Sequence, residues 1–141
     1  MVVIHHTGDG EGRPTAQAVA AYQTGPTATW PFPRIAYAIF IEGDATIEIG
    51  NDLEDECWSN GVGSPTEDAN QEGVYNDWTI SVCFSGQDPT DQQWSAAMKV
   101  YDAVQTVLNR TLQLTGHGLL PNGGTDCPGL VARGKLQPPS L

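Results

Sequence analysis

The chain has little positive charge: 6 Lys and Arg stand against 17 Asp and Glu, for a net charge of −11. Such a surface repels phosphate backbones, so nucleic acid is not an expected partner. It also disfavours anionic membranes, and no apolar run is long enough to span a bilayer. Solubility alone accounts for the acidity. No charged and then apolar leader opens the sequence, so no signal peptide is visible. Cysteine is scarce and odd in number, at 3, which argues against a dense disulfide framework. Internal repeats and the nucleophile-elbow pattern of serine hydrolases are missing as well.

What is present fits one loop-rich globular domain over residues 1–141, with 16 Gly and 10 Pro and enough length for a real core. Val2 to His5 is a short apolar run that reads as a buried strand ending in the pair His5-His6. Thr15 is placed to cap a helix through Tyr22, closed by Gly25-Pro26. Arg34 to Ile41, the turn Glu42-Gly43-Asp44 and the alternating Thr46 to Ile49 read as a hairpin. Residues 50–73 form a long acidic loop, and a loop of that length in a compact domain is usually functional. Trp78 to Phe84 is the next strand. Thr90 to Asn109 is the clearest helix, with Thr90 and Gln93 in a capping box and a stripe of Trp94, Ala97, Met98, Tyr101, Val104 and Leu108. Leu112 to Thr115 is a last short strand, and the tail beyond Gly129 is expected to wrap the surface or fray. Strands interleaved with helices predict an α/β fold, a central mixed β-sheet flanked by helices on both faces.

The chemistry concentrates in TGHGLLPNGGTDCPG, Thr115 to Gly129. His117 and Cys127 lie in a stretch whose glycines and Pro-Gly turn describe a loop. An imidazole and a thiolate brought together suit Zn²⁺, and a catalytic zinc needs a third protein ligand and an open position. That ligand would come from the His5-His6 end of the first strand. The bland alternative is a small buried cysteine and a hydrogen-bonded histidine.

Five blocks in order carry a resemblance: VVIHHTG, IAYAIFIEGDATIEIG, VYNDWTISVCFSG, TDQQWSAAM, and GHG with TDCPG. Together they resemble the zinc-dependent N-acetylmuramoyl-L-alanine amidases, which include amidase-type phage lysozymes and peptidoglycan recognition proteins. The resemblance implies one Zn²⁺ per chain, held by His5, His117 and Cys127, with His6 as a neighbour. It implies a catalytic tyrosine at Tyr37 in the second strand. Thr125 stands where some members have a lysine, and Asn76 matches an asparagine that starts the middle strand. Trp58 and Trp30 are candidate groove walls for sugar rings. For Tyr37 the alternative is a core tyrosine, and for Thr125 a turn hydroxyl that caps the loop.

Departures from the pattern fall at Ala38, where many members have histidine, at Cys83 in place of a glutamate, and at Gly118 in place of an arginine. The implied activity is hydrolysis of the amide between N-acetylmuramic acid and L-alanine. The implied partner is bacterial peptidoglycan, both glycan strand and stem peptide, acted on by a monomer. A recognition module that binds without cutting is the second expectation, and a closed structural zinc site would need a fourth ligand. As a phage lysin the chain would wait in the host cytoplasm for release to the wall; otherwise it would be a domain of a larger protein.

Overall fold

In the computed structural model of the chain, residues 1–10, 12–28, 31–53, 55, 57, 59, 79–120 and 125–139 are described. Trp30, Trp58 and Asn76, and most of the acidic segment 50–73, lie outside the described residues. Among the described residues five strands form one sheet: β1 (Val2–His6), β2 (Ile39–Ile41), β3 (Ile47–Ile49), β4 (Ile80–Phe84) and β5 (Leu114–Gly116). Their order is β3-β2-β4-β1-β5. β1 runs parallel to both β4 and β5, β2 runs parallel to β4, and only β3 is antiparallel. The sheet is therefore mixed.

β1 has two neighbours and is covered on both faces, which is why it reads as an unbroken apolar run rather than an alternation. The even residues Val2 and Ile4 join Ile39, Ile41, Val82 and Phe84 against helix α2 (Asp91–Leu108). On the other face, Phe40 and Cys83 pack with Ala16, Val19 and Ala20 of helix α1 (Ala16–Thr24). Helices thus flank both faces, as the sequence predicts.

Both helix starts follow the sequence signals. The Thr15 side chain accepts from the Ala18 N–H, and Thr90 and Gln93 close a reciprocal capping box. The buried stripe of α2 differs from the expected one. Gln93, Ala96, Ala97, Val100 and Val104 are buried, whereas Trp94, Met98 and Tyr101 are only partly covered and Leu108 is exposed. Small side chains let the helix approach the sheet closely, and the large ones lie along its flank. There Trp94 meets Phe84 at 6.1 Å between ring centroids and carries the Lys135 ammonium 5.0 Å above its ring.

Gln93 does more than cap. It is wholly buried, and its amide nitrogen donates to the carbonyls of Ile41, Glu42 and Ser85. Its amide oxygen accepts from the Arg13 guanidinium at 2.8 Å, and Arg13 also donates to the Ser85 carbonyl at 2.7 Å. One side chain thus ties the loop after β1, the ends of β2 and β4, and the start of α2.

Several expectations need correction. Residues 34–38 are not strand, so the first arm of the hairpin shrinks to Ile39–Ile41. The Asn51 side chain takes the carbonyls of Ile35 and Tyr37, and the Gly50 and Asn51 N–H groups take that of Ala38. These carbonyls are therefore not free for a strand ladder. Cys57, though it lies in a polar stretch of sequence, belongs to the main core. Of the two expectations for the tail, fraying does not hold through residue 139: Leu130–Arg133 forms a short helix, α3, Leu136 enters the main core, and the Gln137 carbonyl accepts from the Thr115 hydroxyl.

Two outcomes follow from these contacts. Gln93→Leu removes one hydrogen bond from each of three carbonyls, from Arg13 and from the Thr90 N–H, while the carbonyls and Arg13 each keep another partner, so unfolding in urea should show a loss of about 1–3 kcal/mol. Burial, with a smaller push from Asp55, raises the Cys57 thiol to about 11. A raised thiol pKa stabilises the fold below its unfolded value, and that stability is lost as pH climbs through the folded value. The metal-free protein should lose thermal stability between roughly pH 9 and 11, with a shallower slope in Cys57→Ala.

Candidate metal centre

The register of β1 assembles the site. Ile4 pairs with Gly116 on β5, and His117 follows Gly116 directly, so His117 stands level with His5. On the other side His5 pairs with Cys83, which itself pairs with Phe40. Phe40, Cys83 and His5 thus form one row across the sheet on the α1 face. The row lies at the carboxyl ends of parallel strands, where open α/β sheets place their sites.

His117 is not in a loop, as its sequence context suggests, but opens a single 3-10 turn, His117–Leu119, at the end of β5. The chain then returns to bring Cys127 over the same point. Cys127 Sγ lies 3.7 Å from His5 Nδ1, and the His5 and His117 ring centroids are 4.8 Å apart. The ligand atoms of His5, His117 and Cys127 all lie within 4.8 Å of one another.

These residues fit zinc. A tetrahedral zinc with imidazole at about 2.1 Å and thiolate at about 2.3 Å sets its ligand atoms about 3.5 Å apart. Burial, with the nearby His6, holds the His117 pKa below the usual imidazole value, so its ring is neutral and able to ligate at neutral pH. Burial pushes the Cys127 thiol up to about 12, against the opposing pull of the His6 N–H and Arg133. A thiol in such a place becomes a thiolate when a cation stabilises it. Among the described residues three ligands meet here, which would leave a fourth position open, the pattern of catalytic rather than structural zinc.

His6 and Gly118 support this cluster, and neither role is legible in the sequence. The His6 backbone N–H donates to Cys127 Sγ at 3.3 Å. Its ring Nδ1 meets the Gln87 carbonyl at 2.8 Å, so that nitrogen carries the proton. Gly129, at φ +88°, sits where a Cβ would strike Gln87 O and Asp88 Oδ1. The His6 ring therefore fixes the loop on which the Cys127 turn rests. Gly118 donates to the Cys127 carbonyl at 2.7 Å, and a Cβ there would collide with the carbonyls of Thr125 and Cys127. The arginine common at this position has no room behind that returning chain.

Tyr37 lies two residues before β2 rather than within it. Its ring centroid is 5.5 Å from that of His5. Burial raises its hydroxyl well above the usual pKa, with the Cys83 and Cys127 thiols adding, and the hydroxyl interacts with the side chains of Cys83 and Gln23. Gln23 in turn accepts from the Ala36 N–H at 2.9 Å. Gln23 and Asn51 thus position the tyrosine from both sides, and nothing in the sequence points to either. The Thr125 hydroxyl accepts from the Cys127 N–H at 3.2 Å, the loop-capping contact. Ala38 is buried in the core on the α2 side, away from the row that carries His5.

The sequence profile for N-acetylmuramoyl-L-alanine amidase matches residues 1–130. The chain belongs to that amidase family. Solved structures agree on the fold. N-acetylmuramoyl-L-alanine amidase LysC from Clostridium intestinale superimposes with a TM-score of 0.66 at 22% identity, over 97% of this chain and 85% of that one. Bumblebee PGRP-SA gives 0.68 at 21% identity, over 96% and 76%, and AmpD gives 0.66 at 23%, over 96% and 82%. No curated protein matches the chain. The family's α/β fold, a mixed sheet with helices on both faces, is the one the five ordered blocks imply.

The His6 strut has a measurable consequence. His6→Phe keeps a ring of similar size and removes the bond to Gln87. Zinc affinity, read by competition with a chromophoric chelator, should weaken about 10-fold or more. The thiolate-to-cobalt absorption of the Co²⁺-substituted variant should also shift, while the thermal midpoint changes little.

Proposed function

We propose that the chain is a zinc-dependent amidase that hydrolyses the amide between the lactyl group of N-acetylmuramic acid and L-alanine in bacterial peptidoglycan. The observation that carries the reading is the meeting of His5, His117 and Cys127 at one point, three ligands and no fourth among the described residues. A recognition module has no need of that third, thiol ligand. In this reading the protein acts as a monomer of the phage endolysin type and meets its substrate after release to the cell wall.

His5, His117 and Cys127 would hold one Zn²⁺. Zinc, when bound, supplies Lewis-acid polarisation of the scissile carbonyl and lowers the pKa of a water. Two neutral imidazoles and one thiolate leave the site net positive, which favours an oxygen that gains negative charge. The Tyr37 hydroxyl donates to that oxygen; its raised pKa keeps the proton on it throughout the neutral range. Thr125 would act on the same region more weakly, since a Thr hydroxyl is a poor proton shuttle; accepting the Cys127 N–H leaves its own O–H to donate. Gln23 and Asn51 keep Tyr37 in place, so the donor is set before substrate arrives. Trp58 and Asn76 remain candidates for substrate contact.

The test follows new amines and new reducing ends released from peptidoglycan by the zinc-loaded protein. Amine release without reducing sugar is expected, with about one zinc per chain. Cys127→Ala should lose both metal and activity. Tyr37→Phe should keep the metal and lose about 100- to 1,000-fold in kcat, with a smaller loss in Thr125→Ala. Zinc binding with no amine release would favour the recognition module, and a chain that takes up no zinc would overturn the site.

A further inference from the structure

A cavity of about 190 Å³ is lined in part by Tyr37, whose ring centroid lies 5.5 Å from that of His5. Its walls are of two kinds. Pro14, Ala18 and Val19 make an aliphatic side, and Tyr22 and Tyr37 add aromatic surface. Asp9 is the one charged residue among those that line it. The Asp9 carboxylate adds to the upward push on the thiol of the buried Cys83, the residue beside His5 in the sheet, so its field reaches into this side of the molecule. Among the described residues no side-chain hydrogen bond or ion pair engages that carboxylate. The nearest cation in the sequence, Arg13, is committed to the carbonyls of Ser85 and Asp88 and to Gln93.

These walls ask for a particular guest. An aliphatic stem would lie along Pro14, Ala18 and Val19, and a positive end group would meet one carboxylate and the faces of two phenol rings. A guest bearing its own carboxylate would face Asp9 with no basic residue to offset the repulsion. We propose that this cavity takes a primary ammonium on an aliphatic chain, the lysine-type side chain of the stem peptide, and that Asp9 is the residue that selects it. The peptide's identity rests on the amidase reading; the preference for an ammonium rests on the cavity alone.

The test uses two muramoyl tripeptides that differ in one group, the first ending in L-lysine and the second in Nε-acetyl-lysine. The zinc-loaded protein should favour the free amine by about 3- to 10-fold in kcat/KM, chiefly through KM, because Asp9 is exposed and partly screened. Asp9→Asn should bring the ratio close to one, and Asp9→Glu should retain most of it. Equal kcat/KM in the wild type, or a preference that survives in Asp9→Asn, overturns the proposal. If neither tripeptide is cut, the amidase reading fails on its own. Calorimetric Kd values for the two ligands then decide the cavity: tighter binding of the free amine that Asp9→Asn abolishes supports it, and equal Kd values overturn it.

Discussion

The parallel register of β1 between β4 and β5 is the constraint on which the site depends. It sets His5 beside Cys83 on one side and level with His117 on the other. Side chains alternate along a strand, so a slip of one residue would turn His5 toward α2 and His6 toward Tyr37. Burial of Val2 and Ile4 under α2 holds that register, because the slip would take them out of that core and turn Val3 and the polar His5 into it. The packing of one face thus fixes the chemistry of the other.

The second support is polar and buried. Gln93 and Arg13 gather the ends of β2 and β4 and the segment that follows β1. The Thr7 hydroxyl accepts from the Gly86 N–H, and the Ser85 hydroxyl donates to the Pro14 carbonyl. Such a network is stabilising when every member is satisfied and costly when one is lost. It lies under the carboxyl ends of the strands, where chains leaving the sheet would otherwise carry unpaired carbonyls. The loops that frame the metal cluster and the neighbouring cavity therefore rest on a fixed floor.

Three of the departures from the family pattern, at Ala38, Cys83 and Gly118, have different physical meanings. Ala38 faces the core, so it takes no direct part on the side of the sheet where His5 sits. Cys83 lies beside His5 but is fully buried, and its thiol is held well above the usual pKa, which leaves it a packing residue against Tyr37 rather than a base. Gly118 is required by the close return of the Cys127 turn. None of the three disturbs the proposed ligand set.

The sequence by itself determined most of the element types, the caps of α1 and α2, and the residues proposed as ligands. These rest on local signals: an apolar run, a Thr or Gln at a cap, a His or Cys in an otherwise plain loop. It also carried the order of blocks that marks the family. Only the tertiary structure decided that His6 fixes the Gln87 loop, that Gln93 is a buried junction, that Gln23 and Asn51 hold Tyr37, and that Cys57 and Leu136 are core. Each of these depends on partners far away in the chain, 81 residues in the case of His6 and Gln87. A hydrogen bond or a burial of that span leaves no periodic trace in sequence, because it is set by where the sheet brings two loops together.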